Sequence, residues 1–238
     1  MSIEKRESGA FIIEMRHCQF QWNKHQPPII DIDTFLVKRG EHVFIKGPSG
    51  CGKSTLLSLL TGINIAQHGE VSVLGQSYSQ LSSSQRDRFR ADNIGYIFQQ
   101  FNLLPYLSVI ENTLLPCQFS RKRSRQITGS ATDKAKELLG RLKLTESLME
   151  TPIVKLSIGQ QQRVAAARAL MGSPELIIAD EPTSALDFEN RTSFIELLKE
   201  EAGRTDSTLV FVSHDPTLEP LFSTSLSLNE INKVRKNQ

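Results

Sequence analysis

The chain has 238 residues, 39% apolar and 23% charged, which excludes wholesale disorder, and its net charge of +2 lacks the basic excess of a nucleic-acid-binding domain. Three cysteines without close spacing, Cys18, Cys51 and Cys117, make neither a disulfide framework nor a zinc pattern and point to a reducing interior. No run approaches about 18 apolar residues and Met1–Ser8 is polar and charged, so neither a membrane span nor a secretory signal is expected.

In chain order, short β-branched runs alternate with helical patterns. Phe11–Ile13 and Ile29–Leu36 predict strands, and Val43–Ile45 is almost wholly apolar, as a central parallel strand covered on both faces should be. A helix is expected over Lys53–Thr61, then strands over Val71–Leu74 and Ile94–Phe98, with Ser77–Gln85 a surface turn leading into a helix. Helices follow over Ser108–Leu115, Asp133–Leu142 and Gly159–Met171. The basic run Arg121, Lys122, Arg123 and Arg125 reads as a solvated loop, with contact to anionic lipid or an acidic partner as the alternative. Leu176–Ala179 predicts another central strand, Phe188–Glu200 a helix, and Leu209–Val212 and Leu226–Leu228 the last strands. The class is α/β. The largely helical stretch at about 85–171 breaks the alternation and is expected to be a helical subdomain inserted into one domain spanning residues 1–238.

Gly47-Pro48-Ser49-Gly50-Cys51-Gly52-Lys53-Ser54 matches the phosphate-binding loop G-x-x-x-x-G-K-[ST], with Thr55 beside it. Glycines let successive N–H groups turn inward toward an anion, and the helix that follows offers its positive end. Lys53 is expected to reach the β- and γ-phosphates, and the Ser54 hydroxyl to bind Mg²⁺. Further on, the apolar run Leu176–Ala179 ends in Asp180 and Glu181. A buried strand ends in carboxylates at high cost unless something pairs with them. Beside a phosphate-binding loop that partner is Mg²⁺ for Asp180, which leaves Glu181 to polarise the attacking water. These two elements leave kinases, GTPases and many ATPases open.

Leu156-Ser157-Ile158-Gly159-Gln160-Gln161-Gln162-Arg163 decides among them, because it resembles the LSGGQ signature of the ABC ATPases and lies between the other two motifs in that family's order. The resemblance runs from about Phe11 to Leu228 and is greatest to the lipoprotein-releasing, macrolide-exporting and cell-division ATPases, through Gly95–Pro105 and Gln161–Leu170. It implies an ABC ATPase fold of P-loop NTPase type, with a RecA-like core, an antiparallel β subdomain and an inserted helical subdomain. It also implies ATP and Mg²⁺ bound between two copies of the chain, with Ser157, Gly159 and Gln160 of one copy facing the nucleotide of the other. Gln99 is similar to the Q-loop glutamine that contacts Mg²⁺, Ser184–Asp187 to the D-loop, and His214 to the switch histidine on the γ-phosphate. Trp22, 25 residues before Gly47, stands where the family stacks an aromatic on adenine, with Phe20 nearby and a plain core role as the alternative. Gln99–Leu107 corresponds to the stretch that receives a helix of a transmembrane permease, although some of its apolar residues are expected to be core.

The implied protein is a bacterial ATPase subunit on the cytoplasmic face of the inner membrane, powering export or membrane extraction through a separate permease. The alternative is a mechanotransmitting ATPase that regulates a membrane partner without moving substrate. A chromosome or repair ATPase is excluded, since the 104 positions from Lys53 to Ser157 leave no room for a long coiled coil. Ile158 departs from the usual first glycine of the signature and is expected to crowd that side of the nucleotide.

Overall fold

The computed structural model describes residues 10–184 and 188–234. They fall into two compact units, one up to Arg90 and again from Phe211, the other from Ala91 to Val210. The expected D-loop residues Ala185, Leu186 and Asp187 lie outside the described residues.

The first unit opens with β1 (Phe11–Phe20), β2 (Ile30–Lys38), β3 (His42–Lys46) and α1 (Lys53–Leu60), followed by β4 (His68–Val73) and β5 (Gln76–Ser77). Strands β2-β1-β4-β5 form an antiparallel sheet in that order. Strand β1 runs well beyond the expected Ile13. Its buried side chains change parity from Ile13 and Met15 to Cys18 and Phe20, because His17 has φ 48° and the register against β4 shifts between Arg16 and Gln19. One extra residue there breaks the period-two signal. Buried β3 pairs in parallel with β9 (Thr224–Ser227), which the chain reaches on its return and which leads into the one-turn α8 (Leu228–Ile231). Phe44, Phe211 and Phe222 form a triangle with ring centroids 5.3–6.1 Å apart, a geometry that adds quadrupole attraction to apolar burial.

The chain leaves this unit within α2 (Ser83–Asn93), the helix expected after the serine-rich turn. The second unit holds β6 (Ile94–Ile97), α3 (Val109–Phe119), α4 (Arg121–Arg125), α5 (Ala131–Arg141), α6 (Ile158–Leu170), β7 (Leu176–Asp180) and α7 (Phe188–Arg204). Strands β6 and β7 are parallel, and the start of β8 (Thr208–Ser213) lies beside β7. Helix α6 buries Ala165, Ala166, Ala167 and Ala169, and the small side chains let it approach β6 closely. At Gly95 a Cβ would stand 2.3 Å from the Ala169 carbonyl oxygen, so only glycine fits. Helix α3 starts on a capping box of Ser108 and Glu111 and runs beyond the expected end at Leu115, through Pro116, ending where the Ser120 N–H meets the Pro116 carbonyl at 2.9 Å.

The basic run corrects the expectation of a solvated loop. Arg121–Arg125 is a short helix, and Arg123 is 2% exposed, donating from Nη1 to the Ala169 and Met171 carbonyls. Burial pulls its guanidinium down to about 10, partly offset by Cys117, Glu175 and Asp92. Its positive charge sits at the negative end of α6, where carbonyls lack helical partners. Lys122 bonds Glu175 at 2.6 Å and Asn93 at 2.5 Å. Among the described residues no helix is long and apolar enough to cross a membrane.

Candidate functional site

In the first unit, β3 delivers the chain at Lys46 into the loop 47–52, where the Cys51 N–H closes a turn on the Pro48 carbonyl at 3.2 Å. Gly52 has φ 102°, a left-handed conformation that an L side chain resists, and it is the N-cap of α1. At Gly47 a Cβ would stand 2.5 Å from the Cys51 Sγ, so a side chain there would force the buried thiol out of place. No side chain caps α1 and no acid lies in its first turn, so its positive end is not neutralised locally. Lys53 is 8% exposed, and its Nζ bends back to donate to the Gly47 carbonyl at 2.8 Å and the Pro48 carbonyl at 3.1 Å. Loop and lysine together make a cationic cradle. Ser54 is exposed, Thr55 buried, and Pro48, Ser49 and Gly50 are exposed on the rim.

His214 is exposed immediately after β8. The Asp215 carboxylate beside it accepts from the Thr217 N–H at 3.0 Å and the Thr217 hydroxyl at 2.6 Å, fixing the turn that follows. Trp22 is 59% exposed, its ring edge-on to buried Phe20 at 5.0 Å. Of these two aromatics only Trp22 presents a ring to solvent.

In the second unit, half-buried Asp180 ends β7, and its Oδ2 accepts from the Tyr96 hydroxyl at 3.3 Å. Burial raises the Tyr96 phenol and Asp180 raises it further, so the hydroxyl stays protonated and donates. Tyr96 was not among the expected site residues. Its position on the neighbouring parallel strand was the only signal for it. Glu181 follows with φ 44°, a left-handed backbone costly for any side chain larger than glycine's. Asp180, Ser54 and Gln99 each carry a hard oxygen donor of the kind that Mg²⁺ takes.

Ser157 is the exposed N-cap of α6. Its Oγ accepts from the Gln160 N–H at 3.3 Å while the Gln160 Oε1 accepts from the Ser157 N–H at 2.9 Å, a reciprocal capping box. The Gln160 side chain is thus occupied in capping, and Ser157 presents its hydroxyl at the helix's positive end. Ile158 is 54% exposed at the first helical position, and Gly159 is half-buried behind it.

Gln99 is exposed after β6. Beyond it, Phe101 and Asn102 have positive φ, and Arg168 of α6 holds their carbonyls at 2.5 and 2.7 Å. Phe101 is buried at 7% exposure, so it is core, whereas Tyr106 at 76% is surface. Asn112, fully buried on α3, fixes the intervening loop through both its amide donors and its oxygen at Leu104, Leu107 and Ser108.

Comparison with known proteins agrees with these features. A family model described as ABC transporter matches residues 30–184. The ABC transporter ATP-binding protein YbbA of Escherichia coli (strain K12) is 37% identical over 206 residues, covering 86% of this chain and 88% of its own. The lipoprotein-releasing system ATP-binding protein LolD of Saccharophagus degradans is 37% identical over 182 residues, covering 76% and 78%. Among solved structures, the ATP-binding cassette MJ0796, dimeric in a post-hydrolysis state bound to ADP and Pi, superposes with a TM-score of 0.79 at 32% identity, over 90% of this chain and 93% of that one. Motif order, cradle geometry and these likenesses agree, and the chain belongs to the ABC transporter family as an ATP-binding subunit with the α/β cassette fold.

Proposed function

We propose that this ATPase subunit drives an export or membrane-extraction transporter, working as a single cassette in which the segment at about 85–171 is the inserted helical part. Two copies enclose ATP, and a separate permease docks on the loop after Gln99 at the cytoplasmic face of the membrane. The observation that carries the reading is the cradle of loop 47–52, with Lys53 folded across it and α1 uncapped behind it. The likeness to LolD, a lipoprotein-releasing system protein, supports the export or extraction class.

The chemistry follows from what each group can do. The N–H groups of Gly50, Gly52, Lys53, Ser54 and Thr55 and the Lys53 ammonium hold the β- and γ-phosphates, exchanging the lysine's contacts with its own loop for phosphate oxygens. Ser54, Asp180 and Gln99 would hold Mg²⁺, which would supply neutralisation of the phosphate charge. Tyr96 fixes the Asp180 carboxylate in orientation. Glu181 accepts a proton from the attacking water and orients it, His214 donates to the γ-phosphate, and Ser157, with the Gly159 backbone, meets the γ-phosphate held by the facing copy.

Trp22 is the only tryptophan in the chain and serves as the adenine platform, which makes it its own reporter. MgATP is expected to change Trp22 fluorescence, and Trp22→Ala to raise KM for ATP about three- to tenfold with kcat little changed. An unresponsive fluorescence signal with parental KM in the variant would remove Trp22 from the site. For docking, exposed Tyr106 is informative and buried Phe101 is not, since a charge at Phe101 breaks the core. With the cognate permease in nanodiscs, Tyr106→Glu is expected to bring the ratio of stimulated to basal hydrolysis down toward one. An unaltered ratio would move the docking surface elsewhere.

A further inference from the structure

Gln162 lies in the stripe Gln162, Ala165, Ala166 and Ala169 on one face of α6, and it is 1% exposed. An amide is costly to bury unless it is bonded, and an apolar residue would fill an alanine-lined face with less penalty. The amide has a specific partner: Nε2 donates to the Pro182 carbonyl at 2.8 Å. Pro182 follows Glu181 directly. It has no N–H of its own, so its backbone can be hydrogen-bonded only through its carbonyl. Glu181 itself sits in the left-handed region at φ 44°, and a residue preceding proline is further restricted. The Ser184 N–H closes the same turn on the Glu181 carbonyl at 3.3 Å, a longer bond than that from Gln162. A strained backbone at a carboxylate persists only where its surroundings over-determine it.

We infer that Gln162 is a positioning residue for Glu181, acting through the Pro182 carbonyl. The inference rests on the reading of Glu181 as the base. Its consequence concerns coupling between half-sites: α6 begins at Ser157, so a nucleotide engaging Ser157 from the facing copy acts on the same rigid helix that holds the Glu181 turn. The nucleotide bound by one copy thereby bears on the orientation of the other copy's catalytic carboxylate. Gln160 and Gln161, adjacent in sequence, have no such role; their side chains bond the Ser157 N–H and the Leu156 carbonyl.

The test uses the full chain and steady-state ATP hydrolysis. Gln162→Met keeps the volume and removes the donor, and kcat is expected to fall about tenfold or more with KM for ATP within about twofold. Gln162→Glu, which sets an oxygen against the Pro182 carbonyl, is expected to fall further. Gln162→Asn keeps the amide but shortens its reach, so the same loss is expected there, and it replaces Gln162→Met in the test if the methionine variant folds poorly. The discriminating measurement is single-turnover phosphate release in the Glu181→Gln background. If Gln162 acts through Glu181, adding Gln162→Met leaves the residual rate unchanged. Additive losses, a joint change in KM and kcat, or parental kcat in the singly substituted Gln162→Met overturn the inference while leaving Glu181 in place. Parental turnover by Glu181→Gln alone overturns the base assignment and this inference with it.

Discussion

Glu181→Gln is expected to lower ATP turnover about a hundred- to ten-thousand-fold, the usual contribution of a positioned general base, while ATP affinity stays close to the parent's. The amide retains the shape and hydrogen-bonding reach of the carboxylate but cannot accept the proton of the attacking water. The two nucleotides are then held without being cleaved, and contacts from both copies to the same γ-phosphates persist. At saturating MgATP the variant should therefore elute as a dimer in light-scattering chromatography, while the parent, which hydrolyses and reopens, elutes largely as monomer. A variant that stayed monomeric and turned over like the parent would remove both the base assignment and the shared nucleotide. The expected size of the effect comes from proton transfer, since the surrounding turn is anchored by its backbone: Ser184 and Gln162 bond carbonyls, not the Glu181 side chain.

Lys53→Met is the second large effect. The substitution keeps a linear apolar stem in a position that is 8% exposed and deletes the ammonium that bonds the Gly47 and Pro48 carbonyls. On the proposed mechanism that ammonium becomes the charge-assisted donor to phosphate oxygens, and its loss is expected to weaken ATP binding at least about tenfold and to cut kcat about a thousandfold. The thermal midpoint without nucleotide should stay within about 4 °C of the parent, because removing a buried charge also removes its desolvation cost. The protection that ATP gives the parent against thermal unfolding should disappear. Equal stabilisation of both proteins by MgATP in a thermal-shift measurement would show that Lys53 does not hold the phosphates.

How much of this was readable in the residues varies with the distance over which each feature is made. The phosphate loop was legible because eight consecutive residues build it: the glycines set the backbone, and the lysine returns to carbonyls five and six positions earlier. The capping box at Ser157 is equally local, as Ser157 and Gln160 lie within one helical turn, yet the sequence reading has both facing nucleotide and neither as a cap. Strand β3 and the start of β7 announced themselves as unbroken apolar runs. Strand β1 did so only in part, since the extra residue at His17 exchanges its faces halfway along. Helix α3 was placed only as far as Leu115, and it continues through Pro116 to Phe119, with the Ser120 N–H on the Pro116 carbonyl.

The order of residues alone specified the cradle, the acidic strand end, the signature and the family that has all three. Packing decided which polar side chains are interior and what they touch. Arg123 looked like any member of a solvated basic run until α4 met the end of α6, 46 to 48 positions further along. Tyr96 reaches Asp180 across 84 positions, and Gln162 reaches Pro182 across 20. Phe101 turned inward while Tyr106, in the same apolar run, stayed outside. The physical reason is common to all of them. A hydrogen bond within one turn is dictated by backbone geometry that neighbouring residues encode, whereas burial and its cost belong to a side chain's surroundings, and those are assembled only when distant segments pack.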